Sequence, residues 1–131
     1  MDYKVVKDTR LVEAFAELGA NIKKSSLQSG SWDGPYAVAA IVIDHVRPDA
    51  EVHEKASDVW VVLKGNGVFI LGGALKDEKR TGDNELTGTA VEGGECFEVG
   101  AGDVIDILPG VPHQVDALKG RLELLIIKVA Q

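Results

Sequence analysis

Along this chain the spacing of apolar positions changes character once. Between Thr9 and Leu18, the residues Leu11, Val12, Phe15 and Leu18 fall on one helical stripe, which predicts a short amphipathic helix. Asp8 or Thr9 stands ready as its N-cap and Gly19 as its stop. The polar stretch 21–35, NIKKSSLQSGSWDGP, then reads as loop, with a short strand around Ile22. From Tyr36 onward the runs YAVAAIVIDHV, VWVVLKGNGVFILGG, CFEV, VIDIL and LELLIIKV are β-branched or aliphatic and are punctuated by Gly, Pro and Asp. They predict an all-β unit over about 36–129, a sandwich or closed barrel, because closure removes exposed strand edges. Within it Gly65-Asn66-Gly67 reads as a hairpin turn, and Lys76 to Gly88 as a solvent-exposed excursion between strands.

Strand parity extends the pattern to side chains. If Asp58 points inward, so do Trp60 and Val62, while Val59 and Val61 face the other way. On the strand before His113, either Ile105 and Ile107 or Val104 and Asp106 face in, and parity leaves the choice open. Trp32, Tyr36 and Trp60 are the aromatic candidates for a pocket wall, and Phe69 for the core.

With 131 residues, 45% of them hydrophobic and 27% charged, the chain has the makings of one domain with a single core. Its 14 Lys and Arg against 21 Asp and Glu give a net charge of -7, which repels phosphate backbones and anionic lipid. Neither nucleic acid nor a membrane is therefore expected as a partner. Cys96 is the only cysteine, which excludes an internal disulfide framework and a CxxC zinc site, suggests a reducing compartment, and reads as a small buried hydrophobe or a bystander. The first twenty residues carry no leader-like apolar run and no stretch approaches the roughly 20 apolar residues of a membrane span, so a cytoplasmic protein is expected. No GxSxG, GxxxxGK[ST] or strand-linked GxGxxG occurs.

The residues that carry chemistry are Glu51, His53 and Asp58, followed much later by His113. Glu51 and His53 are two apart on an extended segment, so both leave the same face. Asp58 opens the next strand, which can fold back beside them across the turn Glu54 to Ser57, and His113 follows the tight PGVP turn. Two imidazoles and two carboxylates converging this way suit a divalent ion such as Fe, Mn, Zn, Ni or Cu, with positions left open for substrate or oxygen. A pocket that is apolar apart from its metal suits a small organic acid, ketone or aromatic molecule.

The strings EVHEKASDVWVVLKGNG and GAGDVIDILPGVPHQ resemble the cupin superfamily, whose two motifs have the forms G-x5-H-x-H-x(3,4)-E-x6-G and G-x5-P-x-G-x2-H-x3-N. His53 stands where the second histidine belongs, Asp58 where the glutamate belongs, and Gly65 closes the first motif. Gly102, Gly110 and His113 fall on the second. Glu51 replaces the first metal-binding histidine, His45 stands at the opening glycine, the proline has moved to Pro109, and Ala117 replaces the final asparagine. Each change at a ligand position keeps a metal-competent side chain.

The resemblance covers Val38 to about Val129. It implies a jelly-roll β-barrel, a homodimer, and a divalent metal (Fe, Mn, Zn or Ni) on Glu51, His53, Asp58 and His113, with Glu51 the natural general base if it is not a ligand. The expected function is metal-dependent chemistry on a small molecule, of oxygenase, lyase, decarboxylase or isomerase type. The competing expectations are a non-catalytic metabolite-binding cupin and a metal-free sugar-nucleotide epimerase, the latter disfavoured by the acidic charge and the lack of a basic cluster near the motifs.

Overall fold

The computed structural model describes residues 3–19, 21–28 and 34–131. Among them one helix, α1 (Asp8–Leu18), precedes the strands β1 (Asn21–Ser26), β2 (Tyr36–Asp44), β3 (Ala50–His53), β4 (Ala56–Lys64), β5 (Asn66–Leu71), β6 (Ala74–Lys76), β7 (Lys79–Gly82), β8 (Glu85–Gly88), β9 (Ala90–Glu92), β10 (Glu95–Gly100), β11 (Val104–Ile107), β12 (His113–Asp116) and β13 (Arg121–Ala130). They form a five-stranded sheet ordered β1-β2-β13-β4-β11, a six-stranded sheet ordered β10-β5-β12-β3-β8-β7, and the small pair β6-β9. Every pairing is antiparallel. The fold is the all-β jelly roll expected from the sequence.

The two large sheets share one core. Ile41, Ile43, Trp60, Val62, Ile105, Ile107, Leu122, Leu124 and Ile126 come from the first sheet, and Phe69, Val99 and Val115 from the second. Trp60 meets Phe69 edge to face across the interior, ring centroids 5.5 Å apart. Inward parity on β4 runs Asp58, Trp60, Val62, and on β11 it belongs to Ile105 and Ile107, with Val104 and Asp106 outside.

The near-continuous apolar run of β2 needs both faces covered. Ala39, Ile41 and Ile43 enter the main core, while Ala40 and Val42 meet Ala14 and Phe15 of α1 and Leu27 in a second one. Burying Phe15 contributes about 2 kcal/mol by transfer alone. The buried stripe is Leu11, Ala14, Phe15 and Leu18, so Val12, 62% exposed, lies one step round the helix from it. Lys7 is the N-cap residue and makes no side-chain cap, in place of the expected Asp8 or Thr9. Gly19 ends the helix as expected, at φ 69°.

Three expectations about the strands are corrected, and one alternative is decided. Gly65-Asn66-Gly67 does not close a hairpin, since β4 and β5 lie in different sheets and Gly65 makes the corner between them. Only glycine fits there, because φ is +91° and an added Cβ would sit 1.8 Å from the Arg121 carbonyl oxygen. Nor does β4 lie beside β3. It crosses to the opposite sheet, so Asp58 approaches His53 across the interior. The stretch 76–88 contains β7 and β8, and β8 pairs with β3. Cys96 is exposed on β10, a bystander and not a buried hydrophobe. In addition, the strand around Ile22 is a full partner of β2, Asn21 to Ser26, extending the sheet ahead of residue 36.

Candidate metal centre

Register builds the site. On β3, Glu51 and His53 leave on one face, toward the facing sheet, and Val52, also buried, leaves on the other. Glu51 stands opposite His113 of β12, and His53 opposite Glu85 of β8. From the facing sheet β4 delivers Asp58, which stands opposite Lys128 of β13. The tight turn before β12 is tied to β3 by the Gly110 N–H, which donates to the His53 carbonyl oxygen at 2.8 Å. Gly110 adopts φ +83°, which suits glycine at that turn.

Each imidazole is oriented by the ring nitrogen that faces away from the cluster. His113 Nδ1–H donates to the Val111 carbonyl oxygen at 3.0 Å. A carbonyl only accepts, so the neutral ring carries its lone pair on Nε2. That Nε2 is fully buried and has no hydrogen-bond partner. Burial, partly offset by the Val111 bond, lowers the His113 pKa and keeps the ring neutral.

His53 Nδ1–H donates to both Glu85 oxygens, at 2.7 and 2.8 Å, and its Nε2 lies 3.3 Å from Glu51 Oε2 and 3.1 Å from Asp58 Oδ2. Burial opposes charging of this ring, but Asp58 and then Glu51 outweigh it, and the His53 pKa is pushed up to about 10. Neither Asp58 oxygen makes a hydrogen bond, although Oδ2 lies 3.1 Å from His53 Nε2 and Oδ1 3.4 Å from Lys128 Nζ, so these contacts are ion pairs.

Donor atoms of Glu51, His53 and His113 lie within 4.8 Å of one another, close enough to share one ion. The two rings face each other with centroids 5.1 Å apart. Asp58, 1% exposed, stands behind this trio, with Oδ2 3.6 Å from His113 Nε2 and Oδ1 3.4 Å from Lys128 Nζ. Burial alone would raise the Asp58 carboxyl, but His53 first and then Lys128 and His113 hold it below the ordinary range. The half-exposed Glu51 carboxyl is likewise low, chiefly through His53.

A cavity of about 400 Å³ opens beside the cluster. Trp60 lines it with Ile41, Ile43, Val115 and Ile126, and Lys24, Gln114 and Lys128 add polar groups. The Lys24 pKa is lowered, first by burial and then by Lys128. Gln114 Nε2 donates to the carbonyl oxygens of Pro48 and Thr89 at 2.9 and 3.3 Å, holding the rim.

Of the expected wall aromatics, only Trp60 stands here among the described residues. Tyr36, at the start of β2 and half exposed, lines a separate depression with Leu11 and Leu27, because its end of the strand lies under the helix face. Trp32 falls outside the described residues. His45, at φ 52°, is exposed with Nδ1 2.5 Å from Asp44 Oδ1, and takes no part in the cluster.

Glu85, Lys128 and Lys24 are site residues that the motif strings do not contain. Glu85 is the one with a clear effect: a carboxylate on the distal nitrogen fixes a ligand's tautomer and raises its basicity. Glu85→Gln should weaken Zn(II) binding about tenfold to a hundredfold while leaving the thermal midpoint of the metal-free protein nearly unchanged. Chelator competition measures the first and calorimetry the second. Unaltered affinity would show that Glu85 does not orient the ring.

No protein-family model and no curated protein matches this sequence. Solved structures do. A predicted oxalate decarboxylase from Thermotoga maritima superposes with a TM-score of 0.61 at 18% identity, over 84% of this chain and 81% of that one. The cupin domain of Cnp3 from Schizosaccharomyces pombe gives 0.61 at 10%, over 84% and 61%. The chain has the cupin fold. A third match, the DMSP lyase from Ruegeria pomeroyi, gives 0.59 at 14%, over 85% of this chain but only 48% of the lyase, so the chain spans about half its length. At these identities the likeness concerns the fold.

Proposed function

We propose that this cupin is a metal-dependent protein acting on a small organic molecule, with Glu51, His53 and His113 holding one divalent ion and Asp58 closing the set from behind. The observation that carries the reading is the His113 Nε2 lone pair, buried, without any partner, and grouped with His53 Nε2 and Glu51. Leaving such an atom unsatisfied costs about 1–3 kcal/mol, and a cation would satisfy it. The donor set, two imidazoles with carboxylate oxygens, fits Fe, Mn, Zn or Ni.

When bound, such an ion supplies Lewis-acid polarisation of a substrate oxygen or lowers the pKa of a bound water. The chain supplies the rest. Val111 and Glu85 fix the two rings, Trp60, Ile41, Ile43 and Ile126 exclude water on one side, and Lys128 balances Asp58. Glu51 is held ionised by His53, which suits ligation better than proton abstraction near neutral pH, because a carboxyl with a depressed pKa is a weak base. Similar folds carry names spanning decarboxylase, oxidase and lyase, and the reaction proposed here is of that breadth, with isomerase added.

The same reading takes the chain as a cytoplasmic homodimer without a nucleic-acid partner. Its support is the charge of -7 and the exposed apolar side chains Phe97, Val104 and Leu108, which a second copy would cover.

The test is metal content by inductively coupled plasma mass spectrometry on untagged protein. Wild type should hold close to one equivalent, and His53→Ala and His113→Ala almost none. Wild type that stays empty after anaerobic reconstitution with Fe(II), Mn(II) and Zn(II) would leave a metabolite-binding cupin in its place. Glu51→Gln sorts the remaining roles: lost metal makes Glu51 a ligand, whereas retained metal with abolished turnover makes it the base.

A further inference from the structure

A bound ion would satisfy only part of what the interior leaves unpaired. Among the described residues, the buried side-chain atoms without a hydrogen-bond partner are both Asp58 oxygens, Gln114 Oε1, His113 Nε2 and Trp60 Nε1. All but the last accept, and the indole N–H only donates. A cation on His113 does nothing for it, because a cation and an N–H both seek lone pairs.

Trp60 is 6% exposed and lines the cavity beside the cluster. Its strand position is fixed from both sides, opposite Ile105 of β11 and Ile126 of β13. The apolar part of the cavity wall, Ile41, Ile43, Val115 and Ile126, offers no side-chain acceptor. Phe69 stands edge to face with the indole, and an aromatic ring is a weak acceptor beside an oxygen. A buried indole N–H ordinarily finds a partner, and leaving it unpaired carries the full cost of its desolvation.

We propose that Trp60 is the specificity-determining residue of this cavity, its indole N–H donating to an uncharged carbonyl oxygen of a ligand whose carbon body lies against Ile41, Ile43 and Ile126. A carboxylate placed there would exchange its water for a single neutral donor, whereas a ketone or amide oxygen gives up far less. Nor does the lining select an anion, since Lys23, Lys24 and Lys128 are matched by Asp49, Glu51 and Glu85. The volume of about 400 Å³ lies within the range of small-molecule sites. This deepens the reading of the cavity as a small-molecule site and rests on it, though not on the metal.

The experiment is proton–nitrogen correlation NMR of the indole N–H groups, of which the chain has two, Trp32 and Trp60. The Trp60 signal is the one that remains in Trp32→Phe. Metal-free and Zn(II)-loaded protein are each titrated with cyclohexanone and with methylenecyclohexane, which has nearly the same shape and no oxygen. Cyclohexanone should move the Trp60 proton downfield, and methylenecyclohexane should leave it near its starting position. Trp60→Phe keeps an aromatic ring and removes the donor, so it should weaken cyclohexanone about fivefold relative to methylenecyclohexane. If that variant fails to fold, the wild-type shift decides. A Trp60 signal that both compounds move alike, or equal loss of both in Trp60→Phe, overturns the assignment. Methyl signals of Ile41 and Ile43 that respond while the Trp60 signal stays put would leave the cavity a small-molecule site and its N–H to a resident water. No response from either sinks both readings. Metal content on the same samples judges the metal reading separately: protein that takes no Zn(II) sinks that reading, and the metal-free titration still decides Trp60.

Discussion

Divalent-metal affinity should climb about tenfold for each unit between about pH 7 and pH 9, where an ordinary histidine site has already reached its plateau. In the metal-free protein His53 holds its second proton up to a pKa of about 10, so an ion arriving at Nε2 must displace it. His113 adds no such slope, because burial lowers its pKa and leaves it neutral over this range. Titrations in buffers of different ionisation enthalpy should therefore count about one proton released per ion near pH 7.5. Folding follows the same linkage. The raised His53 pKa contributes stability that is fully present below about 6.5 and is lost as the pH climbs through about 10. An affinity that stays flat above pH 7 would mean that Asp58 and Glu51 do not hold the proton on His53.

The second large effect belongs to Asp58. It is 1% exposed and faces three nitrogen-bearing side chains, His53, His113 and Lys128. Asp58→Asn keeps the shape and removes the charge, leaving the Lys128 ammonium and the His53 ring without their common counter-ion. Breaking such a buried pair costs about 3–5 kcal/mol, and the residual exposure of Lys128, 22% against 1% for Asp58, sets the expectation near the lower end. Denaturant unfolding of the metal-free variant at neutral pH should show that loss, and the His53 titration, followed by NMR, should fall back toward 6.5. Adding Lys128→Met should restore much of the stability, because the second change removes the unpaired cation. A loss below about 1 kcal/mol, or a double variant no more stable than Asp58→Asn, would show that Lys128 and Asp58 are not energetically coupled.

Residue order alone carried the centre of this site because β structure is periodic. Glu51 and His53 share a face for the same reason that Asp58, Trp60 and Val62 do, and both sets are visible as every second residue. Burial settled what parity left open at Ile105 and Ile107. What stayed hidden is pairing between distant segments. Glu85 sits in a polar stretch whose composition matches a loop, and only the β3–β8 register places it opposite His53. Lys128 looks like a surface residue ending an apolar strand until Asp58 is found across from it, and Lys24 lies in a segment that reads as loop. The same blindness misread the corner at Gly65, since nothing local tells a hairpin from a change of sheet.

The β12-β3-β8 register also determines where this chain tolerates insertions and deletions. Residues added between β5 and β6, or between β6 and β7, change the length of a connection and leave His53 opposite Glu85. One residue added inside Ala50–His53, or between Glu85 and Gly88, sends alternate side chains to the opposite face. Diversification of this scaffold by length is thus confined to its periphery, whereas the three short strands around the cluster admit change only by substitution.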